Sequence, residues 1–69
     1  MVRKTLALAL ENGRPVRIVY DSGKGLTERT VDVISLEGDR FTAYCRLRKG
    51  RRTFKLDGVL SAVLLEYEP

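Results

Sequence analysis

Hydrophobic positions change period once along this chain. From Val2 to Asn12 they recur at helical spacing, with Val2, Leu6, Ala9 and Leu10 at i, i+4, i+7 and i+8. The spacing predicts one helix over about residues 2–12 with a core-facing stripe. Asn12 and Gly13 can take the left-handed conformation that ends a helix, and Pro15 forbids its continuation. After Pro15 the period shortens to two. Val16, Ile18 and Tyr20 alternate with Arg17 and Val19, as in a strand with one buried face. Asp21-Ser22-Gly23-Lys24-Gly25 reads as a turn.

A second strand is predicted over about 27–36. Val31 and Val33 share one face, whereas Ile34 and Leu36 fall on the other, so a bulge or sharp bend is expected between them. Glu37-Gly38-Asp39 is the next turn. The third strand, Arg40 to Arg48, alternates most regularly: Phe41, Ala43, Cys45 and Leu47 point one way, and Arg40, Thr42, Tyr44, Arg46 and Arg48 the other. A turn at Lys49-Gly50 leads into a fourth strand, Arg51 to Leu56, with Arg52, Phe54 and Leu56 on one face. Asp57-Gly58 breaks it, and a last strand, mostly buried, is expected from Val59 to Tyr67. One helix followed by five short strands with tight turns predicts a mainly β single domain over 1–69, a small barrel or sandwich occupying about 15–67.

Composition narrows the chemistry. The 69 residues are 43% hydrophobic and 32% charged, the balance of a folded domain with one modest core. There is one cysteine and no histidine, so an intramolecular disulfide is impossible and no zinc-ligand cluster is present. No metal or other cofactor is expected. The run Leu6 to Leu10 is too short for a signal-peptide core or a membrane span, and a cytoplasmic location without membrane contact is expected. Ser22 and Ser35 have no histidine to activate them, and Gly23-Lys24-Gly25 lacks the rest of a phosphate-binding loop. The chain therefore reads as a non-enzyme. Cys45 is expected to be a buried, inert thiol.

Charge placement matters more than the net +4. Seven basic residues, Arg40, Arg46, Arg48, Lys49, Arg51, Arg52 and Lys55, lie in a stretch without a single acid, and all nine acids lie outside it. That polarity points to a polyanion partner. Tyr44 among arginines suits single-stranded DNA or RNA: bases stack on the ring, and guanidinium groups fork onto phosphates. Arg40, Arg46, Arg48 and Arg52 are the candidate phosphate contacts and Tyr44 the candidate platform. Phe54 is a second candidate platform, although alternation places it equally well in the core beside Leu56. A solvated hairpin whose charges only keep a sheet edge from pairing is the plainer alternative.

The order of segments also resembles the WYL domain, a bacterial module with an Sm/SH3-like barrel. The similar elements are the helix ending in Glu11-Asn12-Gly13-Arg14-Pro15, then Val16-Arg17-Ile18-Val19-Tyr20, Thr27-Glu28-Arg29-Thr30-Val31, Ala43 to Arg48, and Arg52-Thr53-Phe54-Lys55-Leu56-Asp57. The pattern departs at Asp39-Arg40-Phe41, where the Trp-Tyr-Leu signature would stand. It departs again at Val33, where a proline is usual, and at Gly58, where an arginine is usual. The resemblance implies an accessory module of a helix-turn-helix regulator or a DNA helicase in cis. Such a module binds nucleic acid, often single-stranded, or senses a ligand and passes the signal on. It adds Tyr20 and Arg29 to the candidate residues. The competing reading is a ligand-sensing or protein–protein regulatory module without nucleic acid of its own.

Overall fold

The computed structural model describes residues 2–66. Helix α1 (Val2–Asn12) is followed by β1 (Val16–Asp21), β2 (Leu26–Glu37), β3 (Arg40–Cys45), β4 (Gly50–Lys55), a single 3-10 turn (Leu56–Gly58) and β5 (Val59–Leu64). The strands form one antiparallel sheet in the order β4-β3-β2-β1-β5. The expected barrel is thus only partly realised. The sheet curls, but β4 and β5 are its two edges, and among the described residues no ladder closes them.

The helix stops where its chemistry says it should. Gly13 adopts φ 61°, and the amides of Gly13 and Arg14 donate to the carbonyls of Leu10 (3.4 Å) and Ala9 (3.0 Å). That is a Schellman cap, in which a left-handed residue satisfies the last free carbonyls. Leu6 and Ala9 are buried beneath the helix, whereas Leu10, expected on the same stripe, is 38% exposed. At its other end α1 is tied to the β2–β3 turn, where the Arg3 guanidinium donates to the Gly38 carbonyl.

The face switch predicted in β2 is a bulge. Val31 and Val33 pair with Cys45 and Ala43, the register then shifts, and Ser35, Leu36 and Glu37 pair with Thr42, Phe41 and Arg40. Ile34 is the extra residue, and it returns Leu36 to the core side. The core gathers Val16 and Ile18 of β1, Val31 of β2, Phe41, Ala43 and Cys45 of β3, and Phe54 of β4 under α1.

The β3–β4 hairpin differs from expectation in one consequential way. β3 ends at Cys45, and residues Arg46 to Lys49 form a four-residue turn closed by the Cys45–Gly50 pair. Lys49 supplies the left-handed residue, φ 54°. Leu47, expected inside, is 76% exposed. The reason lies in the register. A two-residue turn at Lys49-Gly50 would set Arg48 opposite Arg51, a repulsive cross-strand pair. The observed register instead sets Phe41 opposite Phe54, with ring centroids 5.2 Å apart and stacked. Tyr20 of β1 packs edge-on against the same Phe54 ring at 5.1 Å. Stacked and edge-on aromatic pairs contribute about 0.5–1.5 kcal/mol each beyond the area they bury. β5 also differs: it ends at Leu64, only Val59 is fully buried, and the remainder of the predicted strand at Tyr67 lies outside the described residues.

Gly58 is hemmed in by this ring cluster. A Cβ at that position would stand 2.6 Å from Tyr20 Cε1 and 2.9 Å from Cζ. Gly58→Ala is therefore expected to destabilise the domain by about 1–3 kcal/mol through overpacking. In a Tyr20→Leu background the same substitution should cost much less, and denaturant midpoints of the four variants measure the coupling. Cys45 is completely buried. Its thiol should react with a disulfide reagent only as fast as the domain opens, and at once in denaturant.

Candidate nucleic-acid interface

The register of the hairpin decides where its charges go. Arg40, Thr42 and Tyr44 alternate with buried Phe41, Ala43 and Cys45, so they face solvent on the convex side of the sheet. Their partners on β4 are Lys55, Thr53 and Arg51, in that order. Arg51 therefore stands across from Tyr44, which is 38% exposed, Arg40 and Lys55 face each other at the far end of the hairpin, and the Thr42 and Thr53 hydroxyls lie 3.5 Å apart between the two pairs. Arg51 and Lys55 are about 13 Å apart along the strand.

β4 is an edge strand, so one row of its backbone groups has no neighbouring strand among the described residues. Arg52 alternates with Arg51 and sits opposite Ala43 on the concave side, yet it remains exposed at the rim. Arg48 and Lys49 extend the positive charge into the turn. Edge strand β4 thus carries cations on both faces and at the hairpin tip, with an aromatic ring beside them.

The convex patch is bounded on its β2 side by acids. Glu37 pairs across from Arg40, and Asp32 across from Tyr44. Asp39 lies 3.9 Å from Arg40, but both side chains are mostly exposed, so this pair contributes little. Arg46 behaves differently. Its Nε donates to one Asp32 oxygen at 2.9 Å and its Nη2 to the other at 3.0 Å, a bidentate clasp over the end of β3. The strand ends before Arg46, so Arg46 and Arg48 do not share a strand face as expected; they are turn residues.

The structure therefore divides the candidate residues. Arg40, Tyr44, Arg48 and Arg52 lie on or beside the β4 edge. Arg46 is clasped by Asp32. Phe54 is buried between Phe41 and Tyr20, and Tyr20 is half-buried with its hydroxyl accepting a long hydrogen bond, 3.4 Å, from the Lys55 amide. Arg29 lies on β2 opposite Ile18, away from the hairpin face. Arg51 and Lys55, counted in the basic stretch but not among the candidate contacts, join the site. Their common face opposite Phe54 was readable, but the pairing of Arg51 with Tyr44 and of Lys55 with Arg40 depends on the register of the hairpin.

Comparison with known proteins agrees with this architecture. A model of the WYL domain family matches residues 2–64. Among solved structures, the proteasome accessory factor B/C (PafBC) of Arthrobacter aurescens contains a similar unit, with a TM-score of 0.82 and 35% identity. The similarity covers 90% of this chain and 11% of that protein. Comparison with curated proteins finds no match. No helix among the described residues is long and apolar enough to cross a membrane.

The Asp32–Arg46 clasp is a local prediction. Both side chains are more than a third exposed, so Asp32→Ala should cost about 1 kcal/mol or less. It also removes an acid beside the basic hairpin. The variant should elute from a heparin column at higher salt than the parent; earlier elution would mean that the clasp itself shapes the anion-binding surface.

Proposed function

The chain belongs to the WYL domain family, and on that footing we propose that it is a non-catalytic module that holds single-stranded DNA or RNA along edge strand β4. Family membership marks it as a regulatory or nucleic-acid-binding domain. The observation that carries the finer reading is the β4 edge itself, with Arg51 and Lys55 on one face, Arg52 on the other and Tyr44 beside Arg51.

The mechanism follows from that arrangement. A single strand laid along the edge meets Arg40, Arg51 and Lys55 on the convex side, and Arg48 and Arg52 at the tip and rim. Guanidinium groups bind phosphates as bidentate forks. Tyr44 offers a ring face to one base, a contact that tolerates any sequence because every base has a π-face. Duplex DNA fits poorly, because among the described residues the one α-helix packs on the sheet and none is offered to the major groove. In this reading the module acts in the cytoplasm as an accessory to a helix-turn-helix regulator or a helicase in cis, with no metal or cofactor.

Anisotropy with labelled oligo-dT, oligo-rU and duplex DNA across a salt series tests the proposal. Single strands should bind more tightly than duplex. Each phosphate neutralised contributes about −0.7 to the slope of log K against log salt. Arg51→Ala with Arg52→Ala should flatten that slope by about 1.4 and weaken binding for every sequence. Tyr44→Ala should lose about 1–3 kcal/mol of affinity with little change in slope. If the double variant binds as the parent does, the charges are a solvated edge and the regulatory reading takes over.

A further inference from the structure

β2 is long enough to serve two neighbours, and it serves each with a different half. Leu26 to Val31 pairs with β1, whereas the β3 ladder begins at Val31 and runs to Glu37. Because β3 leaves the sheet at Cys45, residues 27–30 have β1 on one flank and, among the described residues, no strand on the other. Alternate backbone groups of an antiparallel strand point to each flank. The segment therefore presents about 13 Å of unpaired donors and acceptors inside an otherwise paired strand.

Side chains around this gap make it a site. A cleft of about 440 Å³ lies against it, lined by Glu28, Arg29, Thr30, Arg46 and Leu47. Leu26 at one end and Leu47 at the other are 64% and 76% exposed, the most exposed of the large hydrophobic residues described. Arg29 is half-buried, and among the described residues it makes no hydrogen bond or ion pair. Arg48 and Lys49 follow Arg46 in the adjoining turn. Glu28 is the acid within the cleft, and the nearby Asp32 is engaged by Arg46. The gap is thus cationic on balance, with apolar ends.

The other open edges differ. β4 carries Arg51, Arg52 and Lys55, charges that keep strands from adding. β5 has α1 packed against it.

We infer that the open flank of β2 at residues 27–30 is a docking site for an extended acidic segment of a partner protein, added to the sheet as a strand. In strand addition the main-chain ladder supplies affinity and alternate side chains supply specificity. Acidic side chains on one face of the incoming strand would meet Arg29. Uncharged side chains on its other face would lie over Leu26 and Thr30, which share the opposite face of β2 with Glu28 between them, a carboxylate that disfavours acids there. The inference rests on the geometry of β2 and is independent of the nucleic-acid proposal.

The test uses the full chain and a labelled peptide, Thr-Val-Glu-Val-Glu-Val-Thr, whose acids and valines occupy opposite faces when extended. Two controls replace its acids by lysine or its central valine by proline. The acidic peptide should bind about tenfold or more tightly than either control. Amide resonances of residues 27–30 and 46–47 should shift, and amides of 27–30 should gain hydrogen-exchange protection. Arg29→Glu, with Arg29→Gln as a milder variant should the reversal fail to fold, should abolish or weaken binding. Arg51→Ala with Lys55→Ala should leave it unchanged. Shifts confined to residues 40–44 and 51–55 would overturn the inference, as would full displacement of the peptide by oligo-dT from the same amides or equal binding of the three peptides.

Discussion

Phe54 packs between Phe41 and Tyr20, and the rest of the domain depends on that three-ring contact. Tyr20 belongs to β1 and Phe54 to β4, and β2 and β3 lie between them in the sheet. The rings can meet only if the sheet curls on itself. The curl helps make a core for a chain this short, because it brings side chains of β1 and β4 together beneath α1. The contact also holds the break after β4. Lys55 donates to the Tyr20 hydroxyl, and Gly58 leaves the space that the Tyr20 ring fills.

The same contact decides what the surface presents. Opposing Phe41 to Phe54 fixes the register of the hairpin, and within that register the ladder stops at the Cys45–Gly50 pair, leaving Arg46 to Lys49 as the turn. Every charge in the hairpin is placed by that choice. Arg51 and Lys55 come to lie beside Tyr44 and Arg40, and Arg46 is drawn off β3 to clasp Asp32. The early exit of β3 also leaves residues 27–30 of β2 paired only with β1 among the described residues. The cationic edge and the open flank of β2 are thus two consequences of one packing decision in the core.

Much of this was legible in the sequence. The period change at Pro15, the Asn12-Gly13 stop and the face switch between Val33 and Ile34 each carry a local physical signal, and each corresponds to a feature of the fold. Phe41, Ala43 and Cys45 could be assigned to the core by alternation alone. What alternation could not supply was the turn. Leu47 continues the apolar pattern of β3 without interruption, and only the pairing of Phe41 with Phe54 across the hairpin shows that the strand has ended. That is a non-local fact, and so is the closeness of Tyr20 to Phe54. The candidate residues separated for the same reason: Arg46 and Arg48 looked like strand neighbours of Tyr44, whereas Arg51 is the cation that stands across from it.

A single strand of nucleic acid that follows edge β4, and not the concave side or the open flank of β2, leaves a footprint: amide chemical-shift changes of the full chain on titration with a short oligo-dT. Shifts should concentrate in residues 40–44 and 48–55, with 26–30 unmoved. Shifts concentrated at Arg29 and its neighbours on β2, with the hairpin unmoved, would rule out the edge as the binding site.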